Sequence, residues 1–224
     1  MLHIFDVDHT IIRKTSTWHF ISEAFSTKDS PIKLSQIRRL PLDWIKYKIG
    51  SLNIDFIENT VKSLAGIEKD VLERIAENCF ERRIKADIYN EAALLIREAQ
   101  RNNERVIFAT SSFDIVIHPL ERYFGINGSL TSRLEFNDGR TTGAIAGNSF
   151  FGVNKKTAAQ EWLKQNDINP AGVCFYSDSY TDIPLLEYCG NPAAVNPDRI
   201  LKREAKKRGW KILKFREVQG NSSK

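Results

Sequence analysis

Short apolar runs of strand length constrain this chain more than any other feature, because each ends in small polar or acidic residues and is followed by a stretch of helical period. Residues 2–7 (Leu-His-Ile-Phe-Asp-Val) read as a buried strand that ends in acids. Arg105-Val-Ile-Phe-Ala109, Gly172-Val-Cys-Phe-Tyr176 and Ala193-Ala-Val195 repeat the theme, and a last strand is expected near Lys211–Phe215. Helices are expected at 87–101, 112–124, 155–166 and 180–188, and a basic helix after Asp198. Within 129–147, Asn137-Asp-Gly139 between two alternating runs marks a hairpin. Strands alternating with helices predict an α/β chain, a parallel sheet covered on both faces. Such sheets bind ligands beyond the C-terminal ends of their strands, where the polar clusters fall here. Residues 15–82 break the alternation. Apolar positions recur there at helical spacing through Trp18, Ile21 and Phe25, and again through Val71, Leu72, Ile75 and Ala76, punctuated by Pro31, Pro41 and Gly66. This block reads as an all-helical cap inserted after the first strand. The expected organisation is a core of 1–14 and 83–218, a cap of 15–82 and a flexible tail of 219–224.

Composition narrows the function classes. No apolar run approaches the roughly 18 residues of a membrane span, and Asp6 and Asp8 make the opening too acidic and too short for a secretory signal. Cys79, Cys174 and Cys189 lack zinc-type spacing, and their odd number fits a reducing compartment. A cytoplasmic protein is expected. The net charge of +5 is local: nine Lys or Arg and a single acid lie between Arg199 and Arg216, and the rest of the chain carries 24 basic against 27 acidic residues. That segment reads as a solvated helix face, or else as a weak contact for an anionic membrane or acidic partner. No nucleic-acid motif accompanies it, so no nucleic-acid partner is expected.

Four polar clusters carry chemistry. In Phe5-Asp-Val-Asp-His-Thr-Ile11, Asp6 and Asp8 project to the same side if the strand conformation persists. Asp6 suits a nucleophile toward phosphorus if a cation neutralises the repulsion of two anions. Asp8 suits an acid for the leaving alkoxide and then a base for water. Two solvated acids in a turn, or a structural metal site, would also account for the pair. In Tyr176-Ser-Asp-Ser-Tyr-Thr-Asp182, a helical turn would bring Asp178 and Asp182 together. Asp178 is then a direct Mg²⁺ ligand, and Asp182 ligates through water or orients the site; helix capping by Asp178 or Ser179 is the plainer account. Ala109-Thr-Ser-Ser112 is expected to start a helix and hold a phosphoryl oxygen, or merely to cap that helix through Ser111 or Ser112. In Gly152-Val-Asn-Lys-Lys156, a lysine at a helix start opposes the helix dipole unless an anion is bound there. Lys155 has the better spacing to Ala158, Ala159, Trp162 and Leu163; Lys156 is the alternate, and a surface lysine the plain reading.

Taken in this order, the clusters resemble the haloacid dehalogenase superfamily of phosphohydrolases. Its pattern is an Asp-x-Asp-x-Thr strand end, a Ser/Thr strand end, a lysine and a final acidic pair. The similarity extends to its phosphoserine-phosphatase-like branch (subfamily IB) through Leu64-Ala-Gly-Ile67, Thr110-Ser-Ser112, Ser177-Asp-Ser-Tyr-Thr-Asp-Ile-Pro-Leu-Leu186 and Ala194-Val-Asn-Pro-Asp198. It covers nearly the whole chain. The resemblance implies a Rossmann-like core with a helical cap, a Mg²⁺ cofactor and a phospho-aspartate on Asp6. It carries over Asp6 as nucleophile, Asp8 as acid and base, and Thr110 and Lys155 as phosphate contacts, with Ser111 and Thr15 on the substrate side. The implied metal set is Asp6, Asp8 through its backbone carbonyl, Asp178 and Asp182. Two departures concern the substrate. Phosphoserine phosphatases carry a glutamate for the substrate's ammonium where this chain has Thr15, and Ser-Gly-Gly where it has Thr110-Ser111-Ser112.

The function expected is Mg²⁺-dependent hydrolysis of a small metabolite's phosphate monoester. A phospholipid-headgroup phosphatase, with Trp44–Ile49 and the basic segment facing anionic lipid, is the alternative, and a metal-binding regulator on the same scaffold a third reading. His9 stands where the family commonly has Gly or Ser. His3, His19 and His118 form no metal-like cluster. Trp18, Phe20, Phe25, Trp44, Tyr47 and Phe56 read as cap packing, and Arg38 and Arg39 as a solvated face.

Overall fold

The computed structural model describes residues 1–26, 54–147, 150 and 152–221. Pro31, Arg38, Arg39, Pro41 and the Trp44–Ile49 stretch, with Tyr47 in it, lie outside them, as does the side chain of Phe56.

Strand β1 (Leu2–Phe5) sits inside a six-stranded sheet of order β3-β2-β1-β6-β7-β8 in which every pairing is parallel. Its partners are β2 (Arg105–Phe113) and β6 (Val173–Ser177); β3 (Leu130–Ser132), β7 (Asn191–Val195) and β8 (Lys211–Leu213) complete the sheet. Successive side chains of a strand face opposite sides, so Ile4 and Phe5, both fully buried, enter two different apolar layers. Ile4 packs with Ile107 and Phe175 beneath α6 (Val153–Gln165), α7 (Ile183–Tyr188) and α8 (Arg199–Arg208), which contribute Leu163, Leu186 and Leu201. Phe5 packs with Phe108 under α4 (Asn90–Arg101) and α5 (Asp114–Phe124).

The block between β1 and β2 is helical wherever it is described as regular structure. It comprises α1 (Ser16–Ser26), α2 (Ile54–Ser63) and α3 (Lys69–Cys79), the last continued by a π-helical turn Phe80–Ile84 and a short turn Lys85–Asp87. Phe20, Leu64, Leu72 and Ile75 of this block share one apolar cluster with Phe5 and Phe108 of the sheet. A helical run carries the chain through residues 82–83. The hairpin β4 (Leu134–Asn137) and β5 (Arg140–Ile145) turns at Asp138 and Gly139, whose φ angles of 48° and 75° are the left-handed pair that a tight two-residue hairpin needs. It docks on the block through Gly66 N–H to Thr141 O (2.7 Å), Thr141 N–H to Ile67 O (2.9 Å) and Lys69 N–H to Gly139 O (2.9 Å).

Three expectations are corrected. Strand β2 does not stop at Ala109 but runs to Phe113, with an irregular register against β3 between the two. The expected helix 180–188 is a 3-10 turn at Tyr180–Asp182 followed by α7. The tail does not begin at 219: Gln219–Asn221 form a 3-10 turn, held by Gln219 N–H to Ile88 O at 2.9 Å and by Tyr123 OH to the Gln219 side chain at 3.2 Å.

Candidate active site

The C-terminal ends of β1, β2 and β6 and the start of α6 surround one small cavity of about 30 Å³. Asp6, Asp8, Ser111, Lys155, Asp178 and Asp182 line it, beside His9, Gly152, Ser179 and Thr181. A larger open groove of about 550 Å³, at Glu187, Pro192, Trp210 and Lys211, lies by the starts of β7 and β8 and holds none of these groups.

Asp6 is placed by the sheet itself, because its N–H continues the β1–β6 ladder to Tyr176 O at 2.9 Å. The chain then turns sharply: the N–H groups of Thr10, Ile11 and Ile12 all reach Val7 O. That turn holds His9 at φ 60°, a left-handed conformation costly for a side chain with a Cβ. The ring offsets the cost locally, with Nδ1 2.8 Å from Arg13 O and Nε2 3.3 Å from Thr15 Oγ1. Thr15 is thereby turned to His9 and does not line the cavity. Beyond it, buried Asp87 accepts from Arg13 Nε (3.0 Å), Lys14 N (2.8 Å) and His19 Nε2 (3.1 Å). Those contacts anchor the turn after β1 to the end of the helical run, and they give His19 a structural role. His3, between Glu104 and Tyr176, is structural too.

Lys155 enters from the first turn of α6 and is almost fully buried. Its Nζ lies 3.0 Å from Asp6 Oδ1 and 2.8 Å from Asp182 Oδ2, and Ser177 Oγ donates to the same Asp182 oxygen at 2.7 Å. Asp182 Oδ1 is buried with no hydrogen-bond partner among the described residues. Asp178 presents its carboxylate to the cavity without a hydrogen bond among the described residues, and its backbone O accepts Asp198 N–H at 2.9 Å. Capping, proposed for Asp178 or Ser179, falls to Ser179, which accepts from Thr181 N. The two carboxylates are brought together by this extended residue and 3-10 turn rather than by an α-helical turn.

At the end of β2 the expected roles redistribute. Because the strand continues to Phe113, neither Ser111 nor Ser112 caps α5, which starts without a side-chain cap. Thr110 is buried and accepts Ser112 N–H at 3.2 Å; Ser111, not Thr110, lines the cavity. Ser112 Oγ donates to Asp8 Oδ2 at 3.2 Å, while Asp8 Oδ1 accepts Ser16 N–H at 2.8 Å.

Electrostatics follow from this crowding. Burial, with the carboxylates of Asp182 and Asp8, pushes Asp6 up to about 7 against the pull of Lys155. Burial, with Asp6 and Asp182, raises Asp178 well above the ordinary carboxylate range. Burial would lower Lys155, but Asp182 and Asp6 outweigh it and hold the ammonium charged. One ammonium thus faces several carboxylates, and an additional cation would relieve them. Mg²⁺ fits that donor set, since it takes oxygen ligands and keeps several waters. Among the described residues no three His, Cys, Asp or Glu side chains are already gathered as a metal nest. The expected four-residue metal set is accordingly uneven: the Asp8 side chain is committed to Ser16 and Ser112, and one Asp182 oxygen to Lys155 and Ser177. Asp6 and Asp178 are the carboxylates best placed to hold the ion.

Sequence reading gave no role to Ser16 or Asp87; it weighed Ser112 only within the Thr110–Ser112 cluster and as a helix cap, and quoted Ser177 and Asp198 only within motifs. Asp198 also had a local signal, an acid directly before the basic helix. Its Oδ1 caps α8 through the N–H groups of Ile200 and Leu201, both at 2.8 Å, and its Oδ2 holds Tyr180 N–H at 2.6 Å.

Known proteins are similar to this chain in sequence and fold. The family model for haloacid dehalogenase-like hydrolases matches residues 4–187. A histidinol-phosphatase of Neisseria meningitidis is 31% identical over 222 residues, covering 96% of this chain and 99% of that protein. A solved Bordetella pertussis protein of unknown function is 27% identical with a TM-score of 0.83, over 95% of this chain and 97% of the other. A substrate-bound phosphoserine phosphatase, 19% identical, shares the fold at a TM-score of 0.69 over 95% and 91% of the two chains.

Proposed function

The chain belongs to the haloacid dehalogenase-like hydrolases, and from that premise we propose that it is a Mg²⁺-dependent phosphatase that cleaves a small metabolite's phosphate monoester through a phospho-aspartate on Asp6. The observation that carries the reading is the buried Lys155 ammonium bridging Asp6 and Asp182 at 3.0 and 2.8 Å, with Asp178 and Asp8 on the same cavity. Such an arrangement exposes one carboxylate oxygen nucleophile beside fixed positive charge, which phosphoryl transfer requires.

In the first step an Asp6 oxygen bonds to phosphorus and the ester P–O bond breaks, while the leaving alkoxide takes the proton of Asp8. In the second, Asp8 accepts a proton from water as that water attacks phosphorus, releasing phosphate and restoring Asp6. Lys155 keeps Asp6 oriented and balances charge on the phosphoryl oxygens, and Ser111, which lines the same cavity, donates a hydrogen bond to them. Asp6, Asp178 and the Asp8 carbonyl would hold Mg²⁺, which would supply the remaining positive charge. Asp182 acts through Lys155.

Because Thr15 has no carboxylate and is turned to His9, L-phosphoserine is expected to be a poor substrate. The test is kcat/KM, with Mg²⁺ and again with EDTA, over phosphorylated metabolites including L-phosphoserine and L-histidinol phosphate, with a lysophosphatidate for the lipid alternative. Turnover that EDTA removes and Mg²⁺ restores is expected, with phosphoserine below the leading substrates. Full activity in excess EDTA, or phosphoserine at the head of the panel, contradicts the corresponding part.

A further inference from the structure

Resting on the phosphatase reading, we propose that the Ser112 hydroxyl, backed by that of Ser16, positions the Asp8 carboxylate and ties its orientation to the seating of α1. Asp8 lies on the turn after β1, Ser112 on β2 and Ser16 at the first position of α1, so three separate parts of the chain meet at one carboxylate. Ser112 Oγ donates to Asp8 Oδ2 at 3.2 Å, and Ser16 N–H to Asp8 Oδ1 at 2.8 Å. The two hydroxyl oxygens are 2.5 Å apart. Ser16 is fully buried and Ser112 is 3% exposed, so solvent offers neither hydroxyl a substitute partner. Ser112 is itself fixed, since its N–H is bonded to Thr110 Oγ1 at 3.2 Å.

The geometry defines a two-point hold. A single hydrogen bond would leave the Asp8 carboxylate free to swing about its own χ angles; one donor to each oxygen fixes both the direction and the plane of the group. Ser16 N–H is also the first N–H of α1, which has no partner within its own helix. The same carboxylate that must face the leaving oxygen therefore also satisfies the start of the inserted helical block. The Ser16 hydroxyl is hydrogen-bonded to that of Ser112 rather than to Asp8 and acts by fixing the rotor of Ser112. Ser112 is thus a positioning residue for Asp8, and Ser16 a support for it.

The test separates positioning from general damage by comparing leaving groups. The rate of Asp6 phosphorylation is measured in single turnovers with an aryl phosphate, whose leaving group hardly needs a proton, and with an alkyl phosphate, which needs one. A positioned acid contributes roughly 10²–10⁴-fold to the alkyl reaction, so Ser112→Ala is expected to slow alkyl labelling at least about tenfold more than aryl labelling. Ser16→Ala should shift the ratio the same way by less, and the double variant should be no worse than Ser112→Ala, because Ser16 acts through Ser112. Ser112→Cys, close in size but a weak donor, replaces the alanine variant if that one fails to fold. Equal losses on both substrates, or no loss, would overturn the proposal while leaving the phosphatase reading intact. Absence of turnover by the wild-type protein on every phosphate tried would overturn both.

Discussion

Lys155 is 5% exposed and has a carboxylate on each side, so its charge is as necessary to Asp6 and Asp182 as theirs is to it. Removing one partner of a buried ion pair costs about 3–5 kcal/mol, because the charge left behind is uncompensated. Lys155→Met should therefore be destabilised by about that amount at pH 8 in chelator. The deficit should shrink toward pH 5, because protons can then neutralise the orphaned carboxylates. Denaturant titrations at the two pH values check this, and a deficit that does not depend on pH contradicts it. Asp87 gives the opposite sign. Burial works to raise its carboxyl, but His19, the Lys14 N–H and Arg13 together hold it below the ordinary range. A depressed folded-state value means stability that is present above the unfolded pKa of about 3.9 and lost as pH falls through the folded one. Asp87→Asn should cost about 1–3 kcal/mol at pH 7, and the gap between variant and wild type should begin to shrink below about pH 4 and narrow further as pH falls through the lowered folded value. A gap of constant size from pH 7 to pH 2 would remove the carboxylate charge from this account.

The hairpin is the element that most directly joins the inserted helices to residues after β2. Gly139 and Gly143 have similar left-handed φ angles of 75° and 80°, but a Cβ on Gly139 meets nothing, whereas one on Gly143 lies 2.8 Å from Ala65 Cβ. Alanine at either position carries a backbone cost of about 1–3 kcal/mol. Only Gly143→Ala must also push away the turn that follows α2, so it should lower Tm further than Gly139→Ala. Equal shifts would mean that the hairpin does not depend on that contact. This hairpin was legible in the sequence because Asn137-Asp-Gly139 specifies its turn chemically. The sheet was legible for a similar reason: β1, β2 and β6 are apolar runs too short to be helices, and their polar ends mark one side. The end of β2 was not, because Thr110-Ser-Ser112 resembles a helix start until Phe113 is seen to continue the strand's burial. The partnerships that shape the site were also hidden. Asp8 with Ser112 and Asp87 with Lys14 join residues 104 and 73 positions apart, and no local pattern encodes a contact at that range.

Across the whole molecule, the sheet order puts β1 between β2 and β6, so the chain leaves the central strand in one direction and later returns on its other side. Ligands bind at such a switch point, beyond the strand ends, and here Asp6, Ser111 and Asp178 sit around it. Helical block and sheet share one apolar cluster, Phe20 and Leu72 with Phe5 and Phe108, so the acids are held against a continuous packed base. Among the described residues no helix is long and apolar enough to cross a membrane. On the mechanism proposed, phosphate passes through Asp6 while Asp8 moves the protons. The direct measurement is intact-protein and peptide mass spectrometry of Asp8→Asn after exposure to an aryl phosphate with Mg²⁺. One phosphoryl group is expected on Asp6, persisting because the base for the second step is gone, and none in Asp6→Asn. A phosphoryl group on another residue, or one still formed in Asp6→Asn, would contradict it.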